Sequence, residues 1–118
     1  MNTRWMLGPT EKFLGRKFEA LNIVGGGAKS GIWCQIFADV MKVEIKQVKD
    51  PIYANARGAA WIGAVGLGEI SFHDVPKLVE IKKNFKPQPE NRTLYDEGFE
   101  VFTQIYKQMK GIYHRLNK

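Results

Sequence analysis

Apolar residues along the chain fall into stretches of two different periods. Leu21-Asn22-Ile23-Val24 is short, mostly apolar and β-branched at its end, which predicts a buried strand, and Gly25-Gly26-Gly27 stops it. Beyond Ser30, the residues Ile32, Trp33, Ile36, Phe37, Val40 and Met41 recur at the spacing of a helix with one buried face. Lys42 to Val48 alternates, with Val43 and Ile45 on one side and charges on the other. That pattern predicts a half-exposed or edge strand, and the helix before it is long enough for a right-handed crossover that leaves the two strands parallel. Asp50-Pro51 closes the unit.

The flanking segments are read in the same way. Asn2 to Gly15 predicts a helix broken at Gly8-Pro9. Asn55 to Leu67 is a helix with a stripe of small residues, Ala56, Ala59, Ala60, Gly63 and Ala64, while Trp61, Ile62 and Val65 are expected in the core. Ser71 with Asp74 three residues on has the spacing of a capped start to a short helix running through Leu78, which makes His73 a surface residue. Lys86 to Arg92 is a proline-punctuated loop, with Lys82 and Lys83 in the loop region before it. Tyr95, Phe99, Phe102, Tyr106, Met109, Tyr113 and Leu116 then mark a long amphipathic helix that docks by its aromatic stripe.

The strand, glycine turn and helix at 21–41 are where chemistry is expected. Three glycines permit close backbone approach and positive φ, and a helix N-terminus directs unpaired N–H groups and the positive dipole end at the same place, so a nucleotide phosphate is the natural guest. A P-loop, G-x-x-x-x-G-K-[ST], fails: Lys29-Ser30 supply the last pair, but Ile23 and Ala28 stand where both glycines are required. A dinucleotide fingerprint, G-x-G-x-x-G, is met at Gly25 and Gly27 and missed at Ser30, and stays open as an alternative. A turn that only packs helix on strand, in a non-catalytic interaction domain, also stays open.

Gly25-Gly26-Gly27-Ala28-Lys29-Ser30, followed by Trp33, Gln35 and Ala38-Asp39-Val40, resembles the adenosine motif of the FGGY carbohydrate kinases, and most closely its xylulose-kinase branch. The likeness continues through Asp50-Pro51 into Ala56-Arg57-Gly58-Ala59-Ala60, Gly63-Ala64-Val65-Gly66 and Gly68. It implies an α/β fold: part of a ribonuclease H-like, actin-like ATPase domain, with short parallel strands flanked by helices and a long C-terminal helix. It also implies an activity, transfer of the ATP γ-phosphate to a sugar hydroxyl, with ATP or ADP and Mg²⁺ as cofactors. Gly25, Gly26, Gly27 and Ala28 are then expected to offer backbone N–H groups to the adenosine and α-phosphate, Ser30 a hydroxyl, and Lys29 a charge.

Two departures qualify the resemblance. Tyr53-Ala54-Asn55 stands where many members carry an acidic residue. The family's D-x-G-T phosphate motif, most sugar contacts and the aspartate base belong to an N-terminal domain with no counterpart in residues 1–118. The chain is accordingly expected to be one domain, to bind adenine nucleotide, to reach sugar only through that other domain, and to contain no catalytic residue. Strand 21–24 is expected at a sheet edge, open to pairing in a two-fold homodimer unless Trp5, Phe13 and the C-terminal helix cover it.

Composition changes this picture little. A formal net charge of +6 raises the question of nucleic acid, but Lys42, Lys46 and Lys49, then Lys82, Lys83 and Lys86, then Lys107, Lys110, Arg115 and Lys118 are scattered, which reads as solvated faces. The single Cys34 has no internal partner and is expected as an inert buried thiol; no metal-ligand cluster is visible. Neither a membrane span nor a secretory leader is evident, so a cytoplasmic protein is expected.

Overall fold

A computed structural model of the chain describes residues 1–117; Lys118, counted above among the charges of the last helix, lies outside the described residues. The elements run α1 (Asn2–Leu14), β1 (Ala20–Ile23), α2 (Gly31–Met41), β2 (Glu44–Val48), α3 (Ala54–Gly66), β3 (Ile81–Phe85) and α4 (Arg92–Leu116). Single 3-10 turns cover Gly26–Lys29, Pro51–Tyr53, Val75–Leu78 and Pro89–Asn91. The sheet order is β1-β2-β3. β1 and β2 are parallel with Leu21 opposite Ile45, as the alternation and crossover length imply, and β3 is antiparallel with Phe85 opposite Ile45.

The sheet is therefore mixed, and β2 is its central strand, which corrects the expectation of an edge. β3 escapes the hydropathy pattern because Lys82, Lys83 and Asn84 are exposed and only Phe85 is buried. A strand lying against one covered face needs a single apolar residue there, so its sequence reads as a loop.

Helix α2 covers one face of the sheet. Cys34 and Ala38 pack on Ile45 and Phe85, with Leu21, Ile23 and Phe37 half-buried around them. Small residues thus face the sheet and let the helix lie close. The bulky stripe expected to be buried is buried in its later half, Val40 and Met41 each being 6% exposed, but not at its start: Ile32 is 77% and Trp33 53% exposed, and Trp33, Ile36, Phe37, Val40 and Met41 line a groove with Met1 to Thr3 at the start of α1. The other face of the sheet carries Asn22, Lys46 and Asn84 side by side in register.

Helix α1 is continuous, with Pro9 inside it, where a break at Gly8-Pro9 is expected from sequence. Proline removes one N–H and crowds the preceding turn at a cost of about 3 kcal/mol, and here tertiary contacts hold the helix on the near side of it. Trp5 meets Phe102 and Tyr106 of α4 edge to face at 6.0 and 4.7 Å, and the Arg4 guanidinium lies 4.3 Å from the Phe99 ring centroid. Gly15, at φ 65°, ends α1 in the left-handed conformation, its N–H donating to the Lys12 carbonyl. The aromatic stripe of α4 docks as predicted over this half only; Tyr113 and Leu116 are exposed.

Helix α3 has no buried residue, so Trp61, Ile62 and Val65 are not core residues of this chain. The Ser71–Asp74 spacing does form a cap-like turn: the Asp74 carboxylate accepts from the Ser71 N–H at 3.1 Å and from its hydroxyl at 2.7 Å, and a 3-10 turn follows. His73 is exposed, as expected.

Asp96 ties α4 to the rest. Its carboxylate meets Arg4 of α1 at 2.7 Å, Lys42 at the end of α2 at 2.8 Å, and Arg92 one turn earlier at 3.8 Å. The Lys42 hydrogen bond first, and then Arg4, hold its carboxyl below the usual carboxylate range. A folded-state pKa below the unfolded one contributes stability at pH above the unfolded value, lost as pH falls through the folded value. The docking of α4 is expected to loosen below about pH 4, and Asp96→Asn to remove that pH dependence. Amide exchange in the first turns of α4 against pH measures both.

Candidate functional site

Parallel β1 and β2 end side by side, and the turns that leave them are joined. The Gly25 N–H donates to the Pro51 carbonyl at 2.8 Å, which couples the glycine turn to the Asp50–Tyr53 turn. Gly25 sits at φ 88°, a conformation side chains rarely adopt, and this is where the sequence's first glycine is needed. Asp50 is also left-handed, at φ 47°, and its carbonyl accepts from Tyr53 N–H and from Arg57 Nη1, both at 3.1 Å. In open α/β sheets this crevice beyond the carboxyl ends of parallel strands is where ligands bind.

The turn assigns different tasks to the six residues singled out from sequence. The N–H groups of Gly25 and Ala28 are used internally, the latter donating to the Gly25 carbonyl at 3.1 Å. That leaves Gly26 and Gly27, the first residues of a 3-10 turn, whose N–H groups have no acceptor within it. Both are exposed, and a Cβ added to either would meet nothing within 4 Å, so space stands open over their backbone. Lys29 is exposed beside them, whereas Ala28 is fully buried and serves as the anchor of the turn. Ser30 is the N-cap of α2, its hydroxyl oxygen accepting from the Trp33 N–H at 3.3 Å.

Two buried polar residues support this region: Gln47, which sequence reasoning passed over, and Asp39, which it quoted in the family motif without a structural role. Gln47 of β2, 4% exposed, donates from Nε2 to the Ala28 carbonyl at 2.6 Å. The signal was present: Gln47 continues the inward alternation of Val43 and Ile45, so a polar residue occupies an apolar position. Cys34 adds its thiol to the same carbonyl at 3.7 Å, and burial pushes that thiol's pKa up, in keeping with the inert role expected of it. Asp39, also 4% exposed, accepts from Gln35 Nε2, the Gln88 N–H and Asn91 Nδ2, each at 2.8 Å. It clamps the β3–α4 connection to α2 and, with its oxygens so occupied, is no general base.

A larger hollow lies at the opposite end of the sheet, between Glu19, Asp39, Lys42, Glu44, Lys86 and Arg92. Acids and bases both border it, and it lies at the amino ends of the parallel strands, away from the crevice beyond their carboxyl ends where open α/β sheets bind ligands. Chemistry therefore points to the glycine turn rather than to the larger hollow. Among the described residues no three His, Cys, Asp or Glu side chains are grouped to hold a metal ion. No helix among them is long and apolar enough to cross a membrane.

Fold and turn together define an α/β unit whose glycine turn leaves two backbone N–H groups open at the carboxyl end of parallel strands. A family model described as the FGGY family of carbohydrate kinases, C-terminal domain, matches residues 1–67. The chain belongs to that family. It is 36% identical over 100 residues to a xylulose kinase of Staphylococcus epidermidis, covering 83% of this chain and 20% of the relative. An autoinducer-2 kinase of Enterobacter is 35% identical over 112 residues, covering 90% of this chain and again 20% of the relative. Among solved structures, a xylulose kinase from Rhodospirillum rubrum superimposes with TM-score 0.70 at 26% identity over 96% of this chain and 23% of that one. The chain thus spans about a fifth of the length of the curated relatives it matches, and its small sheet, flanking helices and long C-terminal helix are a portion of the actin-like kinase fold.

Proposed function

We propose that this chain is the adenine-nucleotide-binding portion of a carbohydrate kinase that transfers the ATP γ-phosphate to a sugar hydroxyl. The observation that carries the reading is the open backbone at Gly26 and Gly27, beyond parallel strands and beside the capped N-terminus of α2. In this reading the two free N–H groups hold the α-phosphate end of the nucleotide, Lys29 adds positive charge at the rim, and the helix dipole favours the anion. Val24, Ile52 and Tyr53, each about half exposed on the two joined turns, offer apolar cover for the adenosine.

The sugar we propose is D-xylulose, on the likeness to xylulose kinases; the relatives named autoinducer-2 kinase make autoinducer-2 the competing choice. Mg²⁺ bound to the nucleotide phosphates would neutralise charge on the transferring group. In-line transfer further needs a carboxylate at the accepting hydroxyl. Asp39 is saturated and Asp50 is the remaining acid near the turn, so the chain by itself is expected to bind nucleotide without turnover.

Calorimetric titration of the chain with ATP, ADP and NAD in parallel tests the proposal. ATP and ADP are expected to bind alike, since the contacts stop at the α-phosphate, and NAD not measurably. Tighter binding of NAD would favour a dinucleotide module, and no binding of any of the three a purely structural turn. A coupled assay with xylulose and MgATP is expected to give no steady turnover; turnover from pure chain would require a base not identified among these residues.

A further inference from the structure

We propose that Gln47 is a positioning residue of the glycine turn: its buried side-chain amide holds the Ala28 carbonyl and so fixes where the Gly26 and Gly27 N–H groups point. The inference rests on the nucleotide reading of that turn and adds to it a residue from a different strand. Gln47 lies opposite Ile23, the last residue of β1, which places it directly beneath the point where the chain leaves the sheet.

Three observations carry the argument. Positions 43 and 45 on the same face are Val and Ile, so packing alone would be served by another aliphatic side chain at 47. A buried amide in such a place is retained where it has a polar partner, and that partner is the Ala28 carbonyl at 2.6 Å. The backbone hydrogen bonds of the turn run from Ala28 to Gly25 and from Ser30 to Gly27, while the first turn of α2 closes from Cys34 onto Ser30. The inward Ala28 carbonyl is left to side chains, and Gln47 Nε2 is the close donor, with the Cys34 thiol a weak second at 3.7 Å.

The need for such a clamp follows from the glycines. Gly25, Gly26 and Gly27 have no side chains with which to fasten themselves, and a backbone anion site works only if its N–H groups are fixed before the ligand arrives. Ala28 is the buried residue of the turn, and its carbonyl is the handle by which β2 holds the rest.

The test compares Gln47→Leu and Gln47→Glu with the unchanged chain by ADP titration between pH 5 and pH 8. Gln47→Leu keeps the volume and loses the donor, and ADP affinity is expected to fall roughly tenfold with helix content retained; Gln47→Met replaces it if that variant does not fold. The carboxyl introduced by Gln47→Glu can donate only when protonated. The affinity of Gln47→Glu is therefore expected to match that of Gln47→Leu at pH 8 and to exceed it as pH falls, a recovery that a loss of packing would not produce. Taking the ratio of the two variants cancels the titration of ADP itself. Gln47→Leu binding as tightly as the unchanged chain, or no recovery of Gln47→Glu relative to Gln47→Leu, would overturn the proposal. If the unchanged chain binds no ADP, the nucleotide reading fails, and amide order in the turn still decides this one. Backbone relaxation at Gly26 and Gly27 is expected to show a looser turn in Gln47→Leu with α2 and β2 unchanged, and an equally rigid turn would refute the clamp.

Discussion

Gly26→Val is expected to leave the domain folded and to remove nucleotide binding. The two effects separate because of where the new side chain goes. Gly26 is not in the left-handed region, and a Cβ there meets nothing within 4 Å beyond its chain neighbours, so the backbone and the space above it admit a side chain in the free chain. That same empty space is what a phosphate must enter to reach the Gly26 and Gly27 N–H groups. Two hydrogen bonds to a charged acceptor are worth about 1.5–3 kcal/mol each, so their loss amounts to roughly two to four decades in affinity. Calorimetry with ADP measures the loss, and circular dichroism and thermal midpoint verify the fold. Gly58→Ala is the control: Gly58 is a helical glycine with open space around it, and the change is expected to leave ADP binding as it is. Undiminished ADP binding in Gly26→Val would remove the glycine turn from the site. Gly25→Val is a different experiment, because φ 88° makes any side chain there strained, and a loss of binding would then report a broken turn.

What the sequence disclosed about this region follows from how each residue acts. The glycine turn, the start of a helix just after Ser30 and the parallel β1–α2–β2 unit were legible because they depend on local conformation and on period; the cap that the Ser30 hydroxyl makes on Trp33 was not read. The structural roles of Gln47 and Asp39 were not legible, since what gives each its role is a partner distant in sequence: Ala28 for Gln47, and Gln88 with Asn91 for Asp39. The rotation of α2, with Cys34 and Ala38 inward and Ile32 and Trp33 outward, defeats a rule that puts the largest apolar residues inside. A helix lying close on a sheet selects small residues at the contact, and hydrophobicity alone does not encode that distance. α3 failed for the opposite reason: its Trp61, Ile62 and Val65 look like core residues, but Trp61 and Val65 are only partly covered and Ile62 is exposed.

Bare surface of that kind leads to the expectation that the chain self-associates. A compact protein of 13.5 kDa exposes about 6,500 Å², whereas this one exposes 8872 Å², roughly a third more. Its radius of gyration is 18.0 Å, against about 13.5 Å for a compact domain of the same length. Much of the surplus is apolar: Val24 is 50%, Ile62 66% and Leu67 82% exposed. β1 pairs with β2 on one side only, and Ala20–Ile23 carries no proline and no charge, so its free edge lacks the usual defences against pairing. Phe13, at 89% exposure, does not fold over that edge as a cap. Two copies meeting edge to edge about a two-fold axis would pair their β1 strands antiparallel. Covering a typical 800 Å² on each partner, at about 25 cal/mol per Å² of its apolar part, leaves a margin over the entropy lost on association. Sedimentation velocity across a hundredfold range of concentration is expected to show a dimer that dissociates on dilution. Asn22→Glu is expected to shift it to monomer: Asn22 lies opposite Lys46 within the chain, which accommodates the new carboxylate, while the two-fold brings like charges together at the centre of the shared edge. A folded species that is monomeric at every concentration would rule out pairing through β1.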